Sequence, residues 1–201
     1  MYIFFQRLLD FIFPPSVEAS IVRSLTERDV ASLSFHTAVN GTHTLSPYHD
    51  SRIRALVHEA KFHGNTRAFQ LLNTLLATFL DTYHRPVDFI LPIPLSGKRK
   101  RTRGYNQVHE ILRAQKLNTA GVIRTDILIR KKDTRPQTEL KRAERLTNVR
   151  DAFGVKNMEA IRGKHILIVD DVTTTGSTLH TAKATLLPYS PASVTCIALA
   201  H

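Results

Sequence analysis

The chain has 201 residues, with 28 Lys+Arg against 17 Asp+Glu and a formal net charge of +11. Apolar residues at 42%, charged residues at 22%, 8 Gly and 9 Pro are near globular averages, which excludes a collagen-like or low-complexity chain, and no apolar run approaches the ~20 residues of a membrane span. Between Lys98 and Arg150 lie 16 of the basic residues but 5 of the acids, so the whole surplus sits in one central stretch, which excludes a uniformly basic coat protein and predicts a local anionic ligand, phosphate or nucleic acid.

In chain order, Met1, Phe4, Phe5, Leu8, Leu9 and Ile12 predict a short amphipathic helix ended by Pro14-Pro15. This start has no basic n-region and no small-residue cleavage site, so a cytoplasmic, non-secreted protein is expected. Residues 16–50 lack strong periodicity and read as an irregular appendage. Ile53, Leu56, Val57 and Ala60 make one helical stripe, and Phe69, Leu72, Leu76, Phe79, Leu80 and Tyr83 the next, with Gly64-Asn65 between them. Val87–Ile93 reads as a buried strand followed by a basic loop, then a helix carrying Val108, Ile111 and Leu112. Ile127–Ile129 is a second strand, and a polar, basic stretch runs from Lys131 to Arg150. Ile166–Val169 is a β-branched run, a helix follows from about Ser177 to Leu187, and Val194–Leu199 is the last strand. Strands apolar on both faces, alternating with helices, predict an α/β fold with a parallel sheet covered on both sides. The single cysteine, Cys196, permits no intrachain disulfide and no cysteine-based zinc site, and the 10 His lack metal-ligand spacing, so no bound metal is expected from the residues themselves.

The most informative run is Ile166-Leu167-Ile168-Val169-Asp170-Asp171-Val172-Thr173-Thr174-Thr175-Gly176-Ser177-Thr178. A buried strand runs into two acids, then hydroxyls and a glycine, then a helix. Ligands of open α/β sheets bind outside the carboxyl ends of the strands. Val172, Thr173, Thr174, Thr175, Gly176, Ser177 and Thr178 form a loop at a helix N-terminus, where free N–H groups and the positive dipole end favour a phosphate. Gly176 lets the backbone approach closely. Asp170 and Asp171 repel phosphate but suit the vicinal hydroxyls of a sugar, each accepting a charge-assisted bond of roughly 1.5–3 kcal/mol. They are the candidate catalytic pair, and the loop as a whole fits a ribose 5-phosphate.

Asp170–Thr178 resembles the phosphoribosyl pyrophosphate (PRPP) loop of type I phosphoribosyltransferases. Tyr48, Ile53–Val57 and Lys61–Gly64, then Leu91–Leu95, Arg103–Gln107, Arg135–Gln137, Arg145, Asn148-Val149 and Ala152-Phe153, are similar to the further blocks of ComF (ComFC) proteins. The resemblance covers about residues 48–200. It implies a type I phosphoribosyltransferase (Rossmann-like) domain over 48–201, preceded by a small appendage over 1–47. It also implies PRPP carried with Mg²⁺, and a role in natural transformation beside single-stranded DNA and a competence helicase or channel. Arg99 and Arg103 are then expected at the pyrophosphate, with Lys61 as a further ligand and with Gln137, Lys141 and Arg145 on a covering loop. Asn106 and Gln107 either orient an acceptor or cap a helix. Lys100, Arg101, Lys131 and Lys132 exceed what one PRPP needs and, with Lys98, are the DNA-binding candidates.

ComF proteins usually carry Cys-x-x-Cys pairs of a zinc ribbon near the start. Here Val17 and Ser20 stand about where the first pair belongs, so no zinc is expected there. No residue stands out as a general base. Three readings therefore stay open: a ComF-family PRPP-binding protein of DNA uptake, a purine, pyrimidine or amine phosphoribosyltransferase of nucleotide metabolism, and a non-catalytic nucleic-acid module regulated by PRPP.

Overall fold

The computed structural model describes residues 15–115, 117–131 and 152–201. The helix expected over Met1–Ile12 lies outside them, as do Lys132, Gln137, Lys141 and Arg145. Residues 17–44, expected to be irregular, are instead built into the core and the sheet. Helix α1 (Val17–Ser24) is capped by Ser16 Oγ, which accepts from Ala19 N, and α2 (Glu27–Ser32) by a reciprocal Thr26–Asp29 capping box. Each buries one of its own residues, Val22 and Val30, so neither leaves the periodic stripe by which a longer helix is read. Strands β1 (Thr37–Val39) and β2 (Thr42–Thr44) form a hairpin whose two turn residues, Asn40 and Gly41, both take positive φ, 49° and 72°. That is the Asn-Gly turn whose twist matches paired strands.

Helix α3 (Ser51–His58) runs directly into a π-helical turn (Glu59–His63) that closes on Gly64 in the left-handed region. Asn65 then caps α4 (Thr66–Thr82), whose Leu71, Leu72, Leu75 and Leu76 are fully buried. Burying each such leucine contributes about 1.5–3 kcal/mol. Strand β3 (Phe89–Pro92) precedes α5 (Gly97–Arg103), which takes the place of the expected basic loop. Ser96 caps its start and Gly104, at φ 81°, its end. There follow α6 (Gln107–Arg113), β4 (Val122–Ile123), β5 (Leu128–Arg130), β6 (Phe153–Val155), β7 (His165–Val172), α7 (Ser177–Leu186) and β8 (Ser193–Ala200).

The main sheet has the order β1-β2-β8-β7-β3-β4, parallel throughout except for the β1–β2 pair. The strand expected at Ile127–Ile129 is displaced by one residue and belongs elsewhere, in a two-stranded antiparallel sheet with β6. Alternation along β7 sends Leu167 and Val169 toward α3, α4 and α6, and Ile166 and Ile168 toward α7 and the small sheet. Both faces are thus covered, as the continuous apolar runs predicted. Cys196 lies in β8 between β2 and β7, its Sγ against Leu179 O at 3.6 Å, and burial pushes its thiol up to about 11. Among the described residues no helix is long and apolar enough to cross a membrane.

Candidate functional site

The strand alternation that builds the core also divides the acidic pair. Asp170 continues the Ile166–Ile168 face and remains half-buried at the sheet end. Asp171 continues the Leu167–Val169 face and turns under the helices, where it is 5% exposed. A carboxylate buried there needs partners. Lys61 Nζ lies 3.2 Å from Asp171 Oδ1, which also accepts from Val172 N at 2.7 Å, and Gln107 Nε2 donates to Oδ2 at 2.6 Å. The Arg103 guanidinium in turn donates to Gln107 Oε1 and lies over the Phe62 ring at 5.7 Å. Lys61 on the π turn, Arg103 on α5, Gln107 on α6 and Asp171 on β7 therefore form one chain of charge and hydrogen bonds across four elements.

The sequence left open whether Asn106 and Gln107 cap a helix or serve the site, and the structure separates them. Asn106 is a cap: its Oδ1 accepts from Val108 N at 3.0 Å and its Nδ2 donates to Ile93 O at 2.9 Å. Gln107 belongs to the site. Lys61, which by residue type alone would be a surface lysine, is brought in by the π turn. Tyr105 fixes that turn from the other side, donating from its hydroxyl to Ala60 O at 2.8 Å and packing 3.5 Å from where a Cβ on Gly64 would stand. Nothing in the pattern of Tyr105 marked this role; the adjoining Gly64-Asn65 break was the available signal.

Asp170 Oδ1 accepts from Asp171 N at 2.9 Å. Burial first, and then the neighbouring Asp171 charge, push the Asp170 carboxyl up to about 7, while Lys61 and Arg99 pull the other way. Arg99 thus acts on the acidic end from its exposed position on α5.

Beyond β7 the chain loops from Val172 to Ser177. Thr173 is buried, its N–H donating to Ala200 O at 3.0 Å and its Oγ1 accepting from Gly176 N at 2.9 Å. Gly176 sits at φ 76°, in the left-handed region that favours glycine, and a Cβ on it would crowd the exposed His180 ring at 3.2 Å. Thr174, Thr175 and Ser177 are exposed, Thr178 is half-buried, and the N-cap Gly176 offers α7 no side chain, with Thr175 Oγ1 accepting from Ser177 N at 3.4 Å. His201 Nε2 lies 3.0 Å from Thr174 O and braces the loop. The hydroxyls expected to face an anion therefore divide into an internal brace, Thr173, and an outer set at a helix start whose N-cap is glycine.

Lys98, Lys100 and Arg101 are exposed on α5, a helix with no buried side chain. Lys131 follows β5 on the small sheet, its N–H donating to Ala152 O at 3.0 Å. The DNA-binding candidates among the described residues thus lie on two different elements, and Lys132 with the covering-loop residues Gln137 and Arg145 lies outside the described residues.

The family described as "Phosphoribosyl transferase domain" matches residues 60–201. Competence protein ComFC of Bacillus subtilis is 36% identical over 131 residues, covering 63% of this chain and 50% of that protein. Competence protein ComFC of Streptococcus pneumoniae is 33% identical over 126 residues, covering 63% and 53%. DNA utilization protein YhgH of Escherichia coli O6:H1 is 32% identical over 148 residues, covering 69% and 63%. The chain thus spans about half to under two thirds of the length of these curated relatives.

Proposed function

The chain belongs to the phosphoribosyl transferase domain family, among its ComFC proteins, and from that premise we propose that it binds PRPP or a related ribose 5-phosphate at the carboxyl end of β7. The observation that carries this reading is the pairing of unlike surroundings at one strand end. A helix start with a glycine N-cap and exposed Thr174, Thr175 and Ser177 suits the 5-phosphate, and the half-buried Asp170 beside it suits the ribose hydroxyls. Asp171 is engaged by Lys61 and Gln107. It acts through them, holding an ammonium at the mouth where a diphosphate would lie.

Magnesium would arrive with the diphosphate. On the protein side Asp170 is the carboxylate suited to it, because the Asp171 oxygens are taken by Lys61, Gln107 and Val172 N. Such an ion supplies charge neutralisation of a departing pyrophosphate. Arg99 and Arg103 add cationic stabilisation from α5. With Asp170 given to the ribose and the ion, the reading favours a ligand-binding role, or transfer to an acceptor that is already nucleophilic.

The biological reading is handling of incoming single-stranded DNA. It is supported by the names of the relatives and by the exposed cationic side chains of α5. Isothermal titration with PRPP and Mg²⁺ tests the site. Saturable binding is expected, abolished by Asp170→Ala with Asp171→Ala, and saturating PRPP that gives neither heat nor a melting shift defeats the reading. Pyrophosphate release across a panel of nucleobases and amines separates transferase from binding protein.

A further inference from the structure

The π turn carries a second group of side chains that the ribose-phosphate site does not use. One ligand-type atom from each of His58, Glu59 and His63 lies within 4.8 Å of the others. On an α-helix, residues five apart point about 140° away from each other, so His58 and His63 would diverge. The π turn closes with one more residue and brings the two rings to a centroid distance of 5.5 Å.

The surroundings are those of a ligand set more than of a packed surface. Glu59 is 3% exposed. Its Oε2 accepts from Asn65 Nδ2 at 2.8 Å, an arrangement that orients the carboxylate, while Oε1 faces His63 Nε2 at 3.9 Å. His58 Nδ1 is buried with no hydrogen-bond partner. A buried carboxylate and a buried, unpartnered ring nitrogen are each unfavourable alone. A dication between them satisfies both. Two imidazoles and one carboxylate select a borderline transition metal over Mg²⁺ or Ca²⁺, and three protein ligands leave a fourth position for water.

We propose that His58, Glu59 and His63 form a binding site for a transition-metal dication of the zinc type, built by the π turn. The absence of metal-ligand spacing in the sequence is no obstacle, because that spacing presumes an α-helix or a cysteine loop. Lys61, in the same turn, points to Asp171, so the two sites share a backbone segment and no ligand.

The test uses the full-length, untagged, chelator-stripped protein, titrated with ZnCl₂ by calorimetry and with CoCl₂ by visible absorption. One saturable Zn²⁺ per chain, cobalt ligand-field bands and a raised melting temperature are expected. All three are lost in Glu59→Gln, which retains an oxygen for Asn65, and in His63→Ala, whose side chain is 54% exposed and removable without disturbing the core. His36→Ala leaves binding intact; it removes one member of another close histidine pair among the described residues, His36 Nε2 to His43 Nδ1 at 2.7 Å. No saturable zinc uptake overturns the proposal, as does uptake that survives Glu59→Gln and His63→Ala or that disappears in His36→Ala.

Discussion

Two neighbouring regions handle charge in opposite ways. At the end of β7, Asp171 is buried and held by a lysine, a glutamine amide and a backbone N–H. On α5, a helix of seven residues with five cations, no side chain is buried and the ends are held by Ser96 and Gly104. Charge in the first region is part of the folded structure, because removing one partner strands another in low dielectric. In the second, Arg103 reaches back to the first through Gln107, while the exposed Lys98 and Lys100 carry charge that is nearly independent of stability. The same residue types therefore do different work according to the element that carries them.

The sharpest way to break this contrast is Lys61→Ala. With 23% of the Lys61 side chain exposed, water offsets part of the loss, and unfolding by urea is expected to become easier by about 1–3 kcal/mol. An unchanged midpoint would mean that Asp171 does not depend on the lysine. Gln107→Ala is expected to cost about 1–2 kcal/mol. The double variant should cost less than the sum of the two, because both side chains serve one carboxylate.

Asp170 sharpens the comparison through pH. Its carboxyl is raised from 3.8 to about 7 in the folded chain. Between those values the folded protein holds a proton that the unfolded chain has released, so stability falls as pH rises through the window. Asp170→Asn removes that penalty. Because Asp170 is only half-buried, water screens most of that shift, and above pH 7 the variant should gain about 1 kcal/mol, or ~2–4 °C in Tm, with the gain shrinking toward pH 4. A gain that is constant with pH would locate the effect elsewhere.

The smallest stability effect is expected for Lys98→Ala with Lys100→Ala, within about ±0.5 kcal/mol. If these lysines meet phosphates of single-stranded DNA, the slope of log affinity against log salt drops by about 1.4 in the same variant. An unaltered slope would move the DNA contact off α5.

Much of the architecture was legible in the sequence because it follows from short-range rules. The run Ile166–Val169 is apolar at every position because both faces of β7 are covered, and the Gly176–Ser177 step marks the strand-to-helix loop. What escaped depends on geometry that composition does not carry. A π turn has no periodicity of its own, so neither the approach of Lys61 to Asp171 nor that of His63 to His58 could be read from a 3.6-residue wheel. Asp170 and Asp171 read as one acidic pair, yet a strand's two-residue period puts them on opposite faces. Gln107 was distinguishable from Asn106 only once α6 had been docked against β7. Helices α1 and α2 escaped for lack of length, although the Ser16 and Thr26 caps and the Asn40-Gly41 turn were present to be read.

Cys196 has a practical corollary. It is the single thiol of the chain, it lies in the middle of the sheet, and its raised pKa keeps almost none of it as thiolate at neutral pH. Alkylating reagents can reach it only in molecules whose β8 has parted from its neighbours. Its labelling rate is thus an intrinsic clock for opening of the sheet centre, readable in the unsubstituted protein and slowed by any ligand that grips the two sheet ends together.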